Sequence, residues 1–178
     1  MQTIDFTENS EIKGVCIVAQ DPFKDNRGEN WEGYNEEYNE IFCKNSPEWW
    51  MSSQKFIVDS YSHSKQGVLR GFHGDTKTWK LISCLQGAIY FVLIDRRPAS
   101  PTFDKFQVFG LSEGGHKSIL VPPGVVNAHL CLSDECLFHY KLTHKYVPQE
   151  EQLHVKWNDP KYAINWPPIT PILSQRDS

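Results

Sequence analysis

The sequence between positions 67 and 87 reads GVLRGFHGDTKTWKLISCLQG, and its spacing decides the fold. Gly67 and Gly87 enclose the segment, and His73, Asp75 and Lys80 lie between them. The apolar run that follows Lys80 has the length of a β-strand, and glycines at the ends of such runs are typical of turns. The segment therefore predicts a strand over residues 80–85 with a glycine turn after it.

Short apolar runs continue along the whole chain and are rich in Val, Ile, Phe and Tyr, which favour strands. Turn sequences such as EGG at 113–115 and PPG at 122–124 separate several of them. The spacing predicts an antiparallel sandwich or barrel, one helix over residues 31–42 and an irregular, proline-containing C-terminal tail. The predicted strands cover residues 12–19, 55–61, 80–85, 88–94, 106–111, 118–121, 125–132 and 136–142.

The composition indicates one domain over residues 1–178 and excludes several classes of partner. A net charge of −4 is unfavourable for binding nucleic acid. Residues 1–10 are polar and acidic, unlike a signal peptide, and no apolar run approaches the roughly 20 residues that span a bilayer. The five cysteines include no CxxC pair and are expected to be reduced thiols. We therefore predict a cytoplasmic protein with neither a nucleic-acid nor a membrane partner.

The segment 67–87 resembles the first motif of cupins, with both glycines and every spacing preserved. Metal-binding cupins have a second histidine and a glutamate where this chain has Asp75 and Lys80, and Asn127 stands at the histidine of their second motif. A lysine ammonium repels a divalent cation, and the lost imidazoles are the donors that such sites need. We predict an all-β cupin or jelly-roll barrel with short peripheral helices and without metal or cofactor. His73 beside a cation suits a general base with oxyanion stabilisation.

The wider sequence resembles the dTDP-4-dehydrorhamnose 3,5-epimerase family over nearly its whole length. Residues 67–73, GVLRGFH, are similar to the family's GVLRGLH signature. The ending LSQRD at 173–177 matches its terminal LSxxD. Further similar elements are DNRG at 25–28, GAIYFV at 87–92, DRR at 95–97, SPTF at 100–103, YKLT at 140–143 and WNDP at 157–160. The resemblance implies an isomerase that inverts a carbon next to the ketone of a nucleotide-linked 4-keto sugar.

The resemblance also implies four catalytic roles. His73 removes the proton α to the C4 ketone, and Asp177 orients and polarises His73 through its other ring nitrogen. Lys80 stabilises the enolate oxygen, and Tyr140 returns a proton from the opposite face. Chemistry agrees with this assignment, because inversion needs one group on each face of the carbon, and an ordinary histidine titrates near neutral pH. Packing alone would also explain Tyr140, which alternation places on an apolar strand face.

Substrate binding is implied for a further set of residues. Arg27 and Arg70 bind the diphosphate, and Glu32 lies near the sugar nucleotide. The chain departs from the family at Ser60, at Asn127, where the family has histidine, and at His129. Because these positions line the family's ligand pocket, we expect a different nucleotide or sugar. The remaining histidines are expected to be ordinary surface residues, namely His63, His116, His139, His144 and His154.

The departures resemble a branch that acts on GDP-linked 4-keto-6-deoxy-heptoses in capsular polysaccharide synthesis, and we take this as the favoured substrate over a dTDP-linked hexose. The sequence leaves open whether C3 alone or both C3 and C5 are inverted. The family resemblance implies a homodimer with exchanged N-terminal strands. Three alternatives remain: a nucleotide-sugar 3,4-ketoisomerase, a non-catalytic sugar-binding cupin, and a metal-dependent oxygenase, which the lost ligands disfavour.

Overall fold

The computed structural model describes residues 4–8, 11–45 and 54–178, so part of the polar N-terminus falls outside the described residues. Within these ranges the chain forms thirteen strands, one α-helix and one short 3₁₀ helix. The helix α1 spans Glu37–Asn45 and the 3₁₀ helix spans Gln149–Glu151. The strands are β1 Ile4–Glu8, β2 Cys16–Gln20, β3 Phe23–Asp25, β4 Gly28–Asn30, β5 Val58–Lys65, β6 Leu69–Gly74, β7 Lys80–Gln86, β8 Ala88–Asp95, β9 Phe106–Ser112, β10 Lys117–Val121, β11 Val125–Cys131, β12 Glu135–Leu142 and β13 Leu153–His154.

Two antiparallel sheets face each other around the main core. The larger sheet has the strand order β1-β2-β10-β7-β12-β5, and the smaller has the order β13-β6-β11-β8-β9. The inward side chains alternate along each strand and form an apolar cluster that includes Ile82, Phe91, Ile119 and Phe138. The all-β jelly-roll architecture predicted from the sequence is confirmed.

The predicted helix begins too early. It was expected from residue 31, but α1 starts at Glu37, because the Asn35 side-chain oxygen accepts a hydrogen bond from the Glu37 amide at 3.0 Å and ends the preceding loop. Trp31 precedes the helix and packs edge-on against His116. Tyr38, on the helix, is buried against the outer face of the larger sheet, as the apolar spacing predicted.

The C-terminal tail is irregular, as expected, and it is fixed to the start of β6. The Leu69 amide donates to the Ile172 carbonyl at 3.0 Å, and the Ile172 amide donates to the Gly67 carbonyl at 2.8 Å. Earlier in the tail, Tyr162 and Trp166 pack on the outer face of the smaller sheet. The hydrogen bonds at Ile172 therefore fix the position of the tail, and the turn that follows them reaches the cavity.

The described residues include no helix that is both long and apolar enough to cross a membrane. All five cysteines are free thiols, and four of them are buried. They therefore contribute small apolar side chains to the core rather than cross-links.

Candidate active site

A cavity of about 360 Å³ opens between the two sheets at the end where β6 and β7 meet. Both sheets and the C-terminal tail contribute to its wall. Seven residues selected from the sequence line it: Arg70, His73, Lys80, Asn127, His129, Tyr140 and Asp177. The cavity is the place where the predicted catalytic groups come together.

An irregularity in β6 allows Arg70 and His73 to face the same cavity. Residues three apart point to opposite faces of a regular strand. Opposite β11, however, Arg70 pairs with His129 and His73 with Asn127, so β6 contains one extra residue. Gly71 supplies the bend with φ of 123°. A Cβ at Gly71 would lie 2.5 Å from the Asn127 carbonyl oxygen, so only glycine fits this position.

His73 and Asp177 form a close pair at the cavity wall. His73 Nε2 lies 2.7 Å from Asp177 Oδ1, although the ring N–H is not aligned for a good hydrogen bond. Ser174 donates to the other carboxylate oxygen at 2.9 Å and fixes the buried Asp177. Among the described residues, the buried Nδ1 of His73 has no hydrogen-bond partner. The Asp177 carboxylate therefore lies beside Nε2, and Nδ1 is the ring nitrogen without a protein partner.

The pKa of His73 is lowered to about 4, mainly because burial disfavours the charged ring, and Asp177 opposes the shift only in part. Desolvation by the surrounding barrel therefore moves the pKa of His73 away from the near-neutral value of an unperturbed histidine. At neutral pH the imidazole is uncharged and able to accept a proton.

Lys80 joins the two sheets at the cavity. Its ammonium donates to Asn127 Oδ1 at 2.6 Å and to the His73 carbonyl at 3.2 Å. Burial lowers the pKa of Lys80 to about 8, while the nearby Asp75 carboxylate acts in the opposite direction. The lysine is half-buried and predominantly protonated at neutral pH, so it can stabilise negative charge that develops beside His73.

Tyr140 approaches the cavity from the sheet opposite His73. It lies on β12, where it pairs with Ile82 of β7 on one side and Ser60 of β5 on the other. His73 lies on β6 of the smaller sheet. The two side chains therefore line the same cavity from facing walls. Proton removal from one face of a carbon and proton return to the other face require groups placed in this way.

His129 is a buried neutral histidine on the inner wall. It stacks on the Phe138 ring with centroids 4.1 Å apart and planes 8° from parallel. Burial, helped by the Arg70 charge, lowers its pKa to about 3. Its Nε2 has no hydrogen-bond partner in the part of the chain that the structure describes, while the nearby Arg70 donates to Ser64 Oγ at 3.1 Å. His129 therefore contributes an uncharged ring to the cavity wall.

Three residues predicted to bind substrate, Arg27, Glu32 and Ser60, do not line the cavity of the single chain. Arg27 lies on the exposed β3–β4 hairpin and its guanidinium pairs with Asp25 at 2.6 Å. Glu32 follows the same hairpin and accepts a hydrogen bond from Asn35 at 2.8 Å. Ser60 lies beside Tyr140, but Ser62, two residues along the same strand face, reaches the cavity instead. Alternation places both serines on the same face of the strand, so the sequence could not indicate which of them reaches the cavity.

Other lining residues were not selected from the sequence. Lys145 and Arg176 bring cationic side chains to the cavity, and Gln152 accepts a hydrogen bond from Arg176 at 2.8 Å. Arg176 stands next to Asp177 in the terminal element, so that motif contained a signal for it. His154 is exposed, as expected, yet its ring centroid lies only 5.5 Å from that of His73. The short pairing of β13 with β6 causes this proximity.

Asp75, which stands at a cupin ligand position, has a structural task. Its Oδ1 accepts hydrogen bonds from the backbone amides of Lys77 and Thr78, both at 2.7 Å. Its backbone carbonyl accepts a further bond from Gly124 at 2.7 Å. The carboxylate therefore holds the β6–β7 turn and adds a negative charge near Lys80.

The chain is similar in sequence and in fold to known proteins. The family model "dTDP-4-dehydrorhamnose 3,5-epimerase" matches residues 9–178. The Escherichia coli enzyme of that name is 34% identical over 172 residues, which cover 94% of this chain and 89% of the relative. The structure of the Elizabethkingia anophelis enzyme is 32% identical, with a TM-score of 0.86, and the match covers 98% of this chain and 93% of the other.

A second solved structure is that of dTDP-6-deoxy-D-glucose-3,5-epimerase from Legionella pneumophila, in complex with dTDP-4-keto-L-rhamnose. It is 29% identical, with a TM-score of 0.86, and covers 98% of this chain and 90% of the Legionella chain. The predicted isomerase class is confirmed by these relatives. The chain belongs to the dTDP-4-dehydrorhamnose 3,5-epimerase family.

Proposed function

We propose that the protein inverts the configuration at C3, or at C3 and C5, of a nucleotide-linked 4-keto-6-deoxy sugar. The observation that carries the proposal is the position of His73 and Tyr140 on facing walls of one cavity, with the Lys80 ammonium beside His73. A base, an acid on the other side and an oxyanion stabiliser are the groups that this reaction requires.

The proton transfers follow from these positions. His73, neutral at pH 7, takes the proton from the carbon next to the C4 ketone, and the electron pair moves onto the ketone oxygen. Lys80 stabilises the enolate that forms. Tyr140 gives its hydroxyl proton to the opposite face of the same carbon, and the configuration is inverted. Proton exchange with solvent then restores neutral His73 and protonated Tyr140, so no cofactor takes part.

Charge at the cavity supports a diphosphate-containing substrate. Arg70, Lys145 and Arg176 line it together with Lys80, whereas Asp75 and Asp177 are engaged by turn amides and by His73. Arginine guanidinium groups bind phosphate oxygens in pairs. The diphosphate would therefore bind near Arg70, with the sugar ring between His73 and Tyr140.

The proposal includes a homodimer. Arg27 and Glu32 lie on an exposed hairpin and loop, away from the described lining of their own chain. A second copy that supplies them to the cavity would reconcile their exposure with the binding roles implied by the family resemblance. Measuring the mass of the protein in solution tests this part, and a monomer at assay concentration would overturn it.

For the substrate we favour a GDP-linked 4-keto-6-deoxy-heptose of capsular polysaccharide synthesis over a dTDP-linked hexose. Support comes from Asn127 and His129, which replace the family pattern on the cavity wall. Asn127 carries an amide where the family has histidine, and its Oδ1 accepts a hydrogen bond from Lys80. His129 adds an uncharged ring that stacks on Phe138, so the shape of this wall differs from that of the family and favours a different substrate.

The test is NMR spectroscopy of each 4-keto nucleotide sugar with the enzyme in D₂O. Deuterium entering at C3, or at C3 and C5, together with an inverted product, supports the proposal. A ketone that moves from C4 to C3 would identify a 3,4-ketoisomerase instead, and absence of exchange with both substrates would indicate a binding protein. Comparison of kcat/KM for the GDP-heptose and the dTDP-hexose decides the favoured substrate.

A further inference from the structure

Two imidazoles and one carboxylate meet at the edge of the cavity. His73, His154 and Asp177 each offer one ligand atom, and the three atoms lie within 4.8 Å of one another. His154 is brought there by β13, where it is the register partner of His73. Asp177 comes from the C-terminal turn, which Ser174 fixes. The three residues lie on separate elements, so the fold rather than a local motif assembles the group.

The group has lone pairs that the described part of the protein does not satisfy. Asp177 is 6% exposed, and its Oδ1 has no aligned hydrogen bond. His73 Nδ1 is also buried without a partner. A buried acceptor without a hydrogen bond is costly, and a cation removes that cost directly. His154 is exposed, so solvent has access to the third ligand.

We propose that His73, His154 and Asp177 form a binding site for a divalent transition metal ion such as Zn²⁺, and that the bound ion inhibits the enzyme. Two histidines and a carboxylate, with a water in the fourth position, are a common zinc ligand set. An ion bound to His73 adds positive charge to the ring, so the ring can no longer accept the substrate proton. The ion also takes the carboxylate that orients the ring. The metal-bound enzyme therefore has no base.

This site differs from the metal centre of other cupins. Of the positions that carry ligands there, only His73 is retained here, and Lys80 and Asn127 are bound to each other. The new ligands, His154 and Asp177, come from β13 and the tail, outside the two cupin motifs. The cations Lys80 and Arg176 line the same cavity, so they weaken binding of a cation and keep it reversible.

Zinc binding is measured first without substrate, by calorimetry of Zn²⁺ added to the full-length metal-free protein and by the absorption spectrum of the Co²⁺ form. We expect one ion per chain, and a Co²⁺ spectrum typical of four- or five-fold coordination. His154→Ala removes one ligand and should weaken zinc binding about tenfold or more. The matched control is His63→Ala, an exposed histidine that pairs with Glu135 on the other sheet, and it should bind zinc like the wild type.

Activity provides the second readout. Zn²⁺ should abolish turnover of the wild type, EDTA should restore it, and His154→Ala should need about tenfold more Zn²⁺ for half-inhibition while keeping its activity in EDTA. Equal zinc affinity of the wild type and His154→Ala, or no stoichiometric binding, would overturn the metal site. Because binding is measured without substrate, this result is independent of whether the proposed epimerisation is correct. Binding that leaves turnover unchanged would overturn the inhibitory role.

Discussion

The reacting end of the cavity and the β3–β4 hairpin differ in how they are built. At the reacting end, His73, Lys80, Tyr140 and Asp177 come from four elements and meet within one chain. The hairpin carries Arg27 on an exposed surface, where its one described partner is the neighbouring Asp25. Under the proposed mechanism, the groups for proton transfer come together within one chain, whereas Arg27 would reach the cavity only from a second copy of the chain.

The largest effect is expected from removing the base. His73→Asn should reduce both turnover and solvent exchange by about 10²–10⁴-fold, the usual contribution of a general base. Substrate binding should remain, because Arg70 and the other cavity cations are unchanged. Calorimetry and NMR exchange measure the two properties separately. The control is His63→Asn on the outer surface, and a His73→Asn variant within tenfold of the wild type would refute the assignment.

The bend in β6 is expected to be the next most sensitive feature. Gly71→Ala places a Cβ 2.6 Å from the Ala128 Cα in a backbone conformation with φ of 123°, so it should destabilise the fold by about 1–3 kcal/mol. Gly110→Ala is the matched control, because a Cβ there has no neighbour within 4 Å. Urea unfolding measures both, and equal stability of the two variants would contradict the role assigned to the bend.

Substrate binding should respond separately from chemistry. Arg70→Ala is expected to raise KM about tenfold or more with nearly unchanged kcat, since a charge-assisted hydrogen bond contributes roughly 1.5–3 kcal/mol. Arg27→Ala should raise KM in the same way if a second copy supplies it to the cavity. Steady-state kinetics distinguish a role in binding from a role in chemistry. A loss of kcat at constant KM would assign Arg70 to the catalytic groups.

The expected pH profile of activity follows from the lowered pKa values of His73 and Lys80. His73 must be neutral to act as a base, so kcat/KM rises as the pH increases through its pKa of about 4. Lys80 must be protonated, so activity falls as the pH increases through about 8. Asp75→Asn removes the charge that raises the pKa of Lys80, keeps a side-chain oxygen for the turn, and should move the alkaline limb to lower pH. Assays in EDTA that show an acidic limb near 6.5 would contradict the burial of His73.

Much of the barrel could be predicted because strand alternation and turn residues are local signals. The expected strand over residues 88–94 corresponds to β8, and that over 136–142 corresponds to β12. The strand β6 was not predicted as such, since its bend at Gly71 interrupts the alternation. The helix start was wrong because the aromatic spacing continues from Trp31 across the loop that Asn35 ends.

The site was predictable where a motif specifies the residue and its strand position. Arg70 and His73 were found in this way, and Asp177 was found from the terminal element. The proximity of His154 to His73 was not predictable, because it depends on the pairing of the two-residue strand β13 with β6. The low pKa of His73 likewise depends on burial by residues distant in sequence.

The most direct test of the two-sided mechanism is Tyr140→Phe in D₂O, followed by NMR of the substrate. His73 and Lys80 can still form the enolate, and solvent exchange through His73 returns deuterium to the original face. The account predicts that exchange persists while net inversion falls by about 10²-fold or more, the scale for losing a general acid. If exchange and inversion fall together, or if both survive, Tyr140 is not the acid on the opposite face and the central claim is contradicted.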